Sequence, residues 1–107
     1  GAGHFITQRV SAIALVFLVP WFLISLIGAV RGGYDHALAW VADPINAVLI
    51  LLSVGAALYH MRLGMQVVVE DYIGKHSTKN FLLVLNTFIC VVLFVAAAYA
   101  VLKVAAI

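Results

Sequence analysis

The chain has 107 residues, 66% of them hydrophobic and only 9% charged. Soluble domains are about 45–50% apolar and about 25% charged, and a small fold cannot hide the excess because it keeps much of its area exposed. Lipid is therefore the expected solvent, and a formal net charge of +2 with no basic stripe excludes a nucleic-acid partner.

The chain begins at Gly1 rather than Met, so residues are expected to have been removed or left out upstream. A transmembrane helix needs about 20 mostly apolar residues, and three segments qualify. The first, about residues 10–30, carries no charge and is too long for a signal-peptide core of about 7–15 residues. Pro20 inside it frees the carbonyl of Val16, so a kink is expected there. The connection from Arg31 to Asp43 holds Tyr34 and Trp40, which suit an interfacial aromatic belt, and has room for a short surface helix.

The second span, about residues 44–70, opens with Asp43-Pro44, a helix cap followed by proline at the first helical position. Gly74 suits its C-terminal stop. Ser77 or Thr78 is the expected cap of the third span, about residues 81–106. Cys90, the single cysteine, excludes an internal disulfide and reads as a small buried hydrophobe. Without water in the bilayer, each span must be a helix that satisfies its own backbone. The expected architecture is one all-α membrane domain, residues 1–107, with three transmembrane helices. Arg9, Lys75 and Lys79 on one side outnumber Arg31 and Lys103 on the other, which favours a cytoplasmic N-terminus or its mitochondrial equivalent.

Residues 60–72, His-Met-Arg-Leu-Gly-Met-Gln-Val-Val-Val-Glu-Asp-Tyr, concentrate ionisable groups in the second span. Such groups are costly in lipid and mark function by default. At about 100° per residue, with His60 as zero, Ser53 and Asp71 fall near 20°, Asn46 and Gly64 near 40°, and Ala56, Ala57 and Val67 within about 60°. This seam of small and polar residues lets a helix or a flat cofactor approach the backbone. His60 lies about 18 Å along the axis from Tyr72 and about 24 Å from Pro44, near mid-membrane. A histidine there must pair, relay protons or bind a metal. Haem iron is commonly held by histidine, and Gly64 would leave room for a porphyrin edge. His4, His36 and His76 lie outside the expected spans. A haem on His60 would thus be five-coordinate or take its second ligand from another chain.

Asp71 and Tyr72 reach the membrane interface, where a phenol and a carboxylate suit a quinone headgroup as well as an aromatic belt. Arg62, about 200° from His60, leaves the seam and either snorkels, pairs with an acid or meets a haem propionate. Arg9 and Ser11 open the first helix on the side of Asp71 and Tyr72, and complete a headgroup site or anchor the interface. Asn86 can hydrogen-bond across helices. No phosphate loop, paired-cysteine motif or activated nucleophile appears, so any chemistry needs a bound cofactor or a partner.

The pattern His60-x-Arg62-x-Gly64 followed by Asp71-Tyr72 resembles the type D membrane-anchor subunits of succinate dehydrogenase, respiratory complex II. The opening His4-Phe5-(x)3-Arg9-x-Ser11-Ala12 is similar to that family's start of its first helix. The resemblance implies a multi-subunit helical bundle in the bacterial cytoplasmic (inner) membrane or the mitochondrial inner membrane. It implies three partners: a second membrane anchor, of type C, an iron–sulfur subunit, and a flavoprotein subunit. Electrons from succinate would pass through FAD and iron–sulfur clusters to ubiquinone, so the chain is not catalytic alone but part of an oxidoreductase. His60 is then one axial ligand of haem b, with the other from the type C anchor. Tyr72 and Asp71 bind quinone, and Gly64, Arg62 and Ser53 are candidate haem contacts. The alternatives are the anchor of a menaquinol-fumarate reductase and a haem-free small transporter or proton-relay protein.

Overall fold

The computed structural model describes residues 2–106; Gly1 and Ile107, the ends of the expected domain, lie outside them. Four helices follow one another: α1 (Ala2–Arg31), α2 (Tyr34–Ala42), α3 (Pro44–Tyr72) and α4 (His76–Ala105). Among the described residues there is no strand. α1, α3 and α4 are each long and apolar enough to cross a membrane. The chain is a multi-pass membrane protein.

α1 begins well before the apolar run. Its first turns are polar, and the Thr7 hydroxyl bonds back to the carbonyls of Gly3 and His4 at 3.0 Å each. The Arg9 guanidinium lies 5.0 Å from the centroid of the Phe5 ring, a cation–π contact that keeps the charge beside the helix. The helix continues through Pro20 to Arg31. Gly32-Gly33 then turns the chain. Gly33 has φ of 93°, a left-handed conformation that favours glycine, and a Cβ on Gly32 would overlap the His36 ring.

α2 occupies the connection where room for a short helix was expected. Trp40 is half-buried rather than a free belt residue. Its ring stacks on Trp21 with centroids 6.3 Å apart and meets Phe22 at 6.2 Å. Asp43 caps α3 as its sequence implies, accepting from the Asn46 N–H at 3.1 Å, with Pro44 at the first helical position.

Two expected boundary devices are absent. α3 ends because Ile73 turns extended (φ −102°, ψ 111°), not through a left-handed Gly74. α4 starts at His76 behind Lys75, with no side-chain cap from Ser77 or Thr78. Backbone groups near a membrane surface reach water, so neither end needs a side-chain partner.

α3 is the hub. α1 and α4 both pack on it, and their backbones do not approach each other. The pairings show antiparallel neighbours on both sides: Ser11 meets His60 while Trp21 and Phe22 reach the Ala47–Ile50 region, and Thr87 meets Arg62 while Val101 reaches that same region. The buried cluster of Ala47, Ile50 and Val101, flanked by Trp21, Phe22 and Trp40, lies at the α2 end. Farther along, the close approach of α4 is set by Gly55, where an added Cβ would stand 3.2 Å from the Phe94 ring. Gly55→Val is expected to force the two helices apart and cost about 1–3 kcal/mol, read as a lower unfolding midpoint in detergent. Gly28→Val should leave that midpoint nearly unchanged, since nothing lies within 4 Å of a Cβ there.

Candidate functional site

The polar residues of α3 separate into two flanks and an end. On one flank, His60 faces α1. Ser11, buried to 6% exposure, sets its Oγ 2.9 Å from His60 Nδ1. The Ser11 hydroxyl also donates to the Gln8 carbonyl one turn back, at 2.9 Å. Ser11 is thus drawn into the helix interface and does not serve as an exposed anchor. Beside this contact, His60 lines a cleft of about 350 Å³ with Phe5, Gln8, Arg9 and Ala12. Arg9 stands at the rim of the same cleft, so a cation and an imidazole share one opening.

On the opposite flank, Arg62 turns to α4. Its Nε–H donates to Thr87 Oγ1 at 3.1 Å, and Thr87 in turn donates to the Leu83 carbonyl at 3.1 Å. Asn86 Nδ2 donates to the Arg62 carbonyl at 3.0 Å, the cross-helix bond its sequence position implies. Arg62, Gln66, Leu83, Asn86 and Thr87 line a second cavity of about 200 Å³. The Arg62 cavity does not include His60, and Thr87 holds the Arg62 Nε where snorkelling was one of the expectations.

The seam is unevenly covered. Ser53 is buried and its hydroxyl returns to the Leu49 carbonyl at 2.7 Å. Ala56 lines a groove with Ser11 and Ala14 of α1. Gly64 has nothing within 4 Å of where a Cβ would stand, and Ala57 is exposed. In the C-terminal half of α3, α1 covers the sector near His60, about −60° to 0°, and α4 the sector near 160° to 240°. Between them, from about 40° to 140°, Ala57, Val68, Met61 and Met65 are exposed and Gly64 has open space at its Cβ position among the described residues.

At the end of α3, Asp71 and Tyr72 are exposed, Tyr72 to 81%. Neither side chain makes a hydrogen bond among the described residues, and the cleft that holds Arg9 and His60 does not include them. His4 was placed outside the spans by sequence, yet it sits inside α1 with Nε2 buried and unpartnered. It lies seven residues before Ser11 and so on the same helical face, a spacing that was available in the sequence. Among the described residues, no group of three or more His, Cys, Asp or Glu could hold a metal ion by itself.

The Arg62 arrangement is testable directly. Thr87→Val keeps the shape and removes the acceptor, leaving Nε–H without its partner at membrane depth. The expected loss is about 1–2 kcal/mol, near the upper end for hydrogen bonds between membrane helices, measured by unfolding in mixed micelles. Thr87→Ser should recover most of it.

Comparison with known proteins bears on the whole chain. Residues 1–102 match the family described as succinate dehydrogenase/fumarate reductase transmembrane subunit. The succinate dehydrogenase hydrophobic membrane anchor subunit of Rickettsia conorii is 34% identical over 97 residues, 90% of this chain and 77% of that protein. The protein of the same name from Rickettsia bellii is 33% identical over 102 residues, 92% of this chain and 82% of that one. The one from Paracoccus denitrificans is 27% identical over 100 residues, covering 94% and 77%. No solved structure matches. With its length matched almost end to end, the chain belongs to the succinate dehydrogenase/fumarate reductase transmembrane subunit family.

Proposed function

We propose that the chain is the hydrophobic membrane anchor of a bacterial succinate dehydrogenase, seated in the cytoplasmic membrane with its N-terminus on the cytoplasmic side. In this reading it helps bind haem b and ubiquinone beside a second, type C anchor. It also docks an iron–sulfur subunit, together with a flavoprotein that carries FAD. The observation that supports it most is His60, a mid-membrane imidazole with one nitrogen engaged by Ser11 and the other without a hydrogen-bond partner among the described residues.

The residues present fit a haem on three physical counts. Imidazole nitrogen is a common ligand of haem iron. Gly64, one turn away, leaves open space where any larger side chain would project. The cleft at His60 includes Arg9, whose charge suits a carboxylate. His60 would hold the iron, Gly64 would border the macrocycle, and Ser53, already bonded to Leu49, would contribute bulk rather than a hydrogen bond. A bound haem b would supply a one-electron redox centre. Arg62 gives its Nε–H to Thr87 beside the α4 cavity, which fastens α4 and leaves the rest of its guanidinium for a propionate or an acid of a partner.

At the α3 terminus, the Tyr72 hydroxyl would donate to a quinone carbonyl and Asp71 would orient a neighbouring cation or hold a proton near it. Both side chains are exposed and make no hydrogen bond among the described residues, which leaves them free for another surface to complete. Electrons from succinate would reach ubiquinone there after passing through the cofactors of the soluble subunits. The family description also covers fumarate reductases, but the Rickettsia and Paracoccus relatives are succinate dehydrogenase subunits. A haem-free proton relay is disfavoured because His60 and Arg62 open on separate cavities rather than one polar path.

Two variants in the purified complex test the reading. His60→Ala should abolish the reduced b-type haem absorption; an unchanged spectrum and potential would refute the ligand assignment. Tyr72→Phe should lower succinate-driven quinone reduction about tenfold, the effect of one lost hydrogen bond, while dye reduction by the soluble subunits persists. An equal fall in both rates would remove Tyr72 from the quinone site.

A further inference from the structure

A serine hydroxyl has a single proton to donate. Ser11 Oγ lies 2.9 Å from the Gln8 carbonyl oxygen, which can only accept and so takes a proton from the hydroxyl. The second contact of the same oxygen, 2.9 Å to His60 Nδ1, needs no further hydroxyl proton when Ser11 accepts and the imidazole donates. A neutral imidazole has one N–H and one lone pair, and the hydrogen bond at one nitrogen selects the tautomer. With Nδ1 protonated, the lone pair belongs to Nε2. That nitrogen makes no hydrogen bond among the described residues and is not sealed inside the protein.

We infer that Ser11 is a positioning residue that fixes His60 as the Nδ1–H tautomer and leaves Nε2 as the ligating nitrogen for an iron porphyrin. The inference deepens the haem reading above and rests on it. It gives α1 a task beyond spanning the bilayer. Ser11 is buried on the face that meets α3, and its back-bond to Gln8 holds the oxygen in place. The ring is therefore oriented before any cofactor arrives. Donation from Nδ1–H also raises the electron density of the ligand, which stabilises the ferric state.

Three preparations of the complex decide the matter: wild type, Ser11→Ala and Ser11→Thr. Ser11→Ala should shift the haem midpoint potential upward and lower haem retention about tenfold, the mild end of such supporting contacts because a hydroxyl is a weak acceptor. Ser11→Thr keeps the hydroxyl and its back-bond to the preceding turn, and should restore both. Unchanged potential and retention in Ser11→Ala overturns the inference, while haem loss in His60→Ala leaves the haem reading standing.

A separate measurement needs no variant. Nitrogen-15 spectra of histidine-labelled wild-type chain, full length and haem-free in detergent micelles, should show His60 with a protonated Nδ1 and a bare Nε2. The opposite tautomer overturns the inference. Should His60→Ala retain its haem spectrum, the haem reading fails and this nitrogen spectrum alone judges the Ser11 contact.

Discussion

The Ser11–His60 hydrogen bond is the only one between side chains that joins α1 to α3 among the described residues. In water, burial of apolar surface would fix how two such helices slide and rotate. In lipid that force is absent, because acyl chains are as apolar as leucine, and close packing and polar contacts set the register. α1 is otherwise an apolar rod with exposed Val16, Phe17 and Ile24. One polar contact near its start and the aromatic stack of Trp21, Phe22 and Trp40 near α2 locate it at two levels. The other outer helix uses the same chemistry. Thr87 bonds back to Leu83 and accepts from Arg62, as Ser11 bonds back to Gln8 and meets His60. A hydroxyl tied to its own helix costs little to bury, since its proton is already placed, and it still offers a lone pair sideways.

These two contacts explain why α3 tolerates an imidazole and a guanidinium within three residues of each other. His60 and Arg62 point about 200° apart, so each meets a different helix and neither disturbs the other. The polar cavity beside Arg62 and the cleft beside His60 are correspondingly separate. The apolar cluster at the α2 end does the opposite work. It closes the bundle where no ionisable group lies at depth, with Ala47, Ile50 and Val101 under the tryptophan rings. Polarity and packing are thus divided between the two ends of α3.

Much of this was legible in the sequence because it depends on one helix at a time. Hydropathy identified the three long helices, Asp43-Pro44 located the start of α3, and the angular reading separated Arg62 from the His60 seam. What the sequence concealed depends on two helices at once. The pairing of Ser11 with His60 needs the register of α1 against α3, which no single-helix periodicity contains. Arg62 was expected to snorkel, pair with an acid or meet a propionate. Thr87, a residue with no signal of its own in an apolar run, becomes its acceptor only through the antiparallel docking of α4. Gly74, Ser77 and Thr78 carry end signals for α3 and α4, yet near the membrane surface water replaces a side-chain cap. His4 was set outside the spans because hydropathy marks the apolar run, whereas helical backbone bonding extends through the polar turns before it.

The uncovered sector of α3 links the parts of the site that this chain leaves unfinished. Gly64, Ala57, Val68 and Met61 lie at about 40° to 100° from His60, and Tyr72 at about 120°. A single surface therefore runs from the flank of the mid-membrane imidazole to the phenol at the interface, with no side chain of α1 or α4 across it. At its edge the chain supplies one histidine and no second histidine at the same depth. It supplies an exposed tyrosine and an exposed aspartate without hydrogen-bond partners among the described residues. Satisfying each of these groups within one fold would have required a further helix on that side. Within a larger assembly, the same economy follows from letting a neighbouring chain provide it. Under the anchor reading, one docking surface would then complete both the haem ligation and the quinone contact. Loss of the partner would remove the two together, because the open sector runs beside the imidazole at one level and past the phenol at the other.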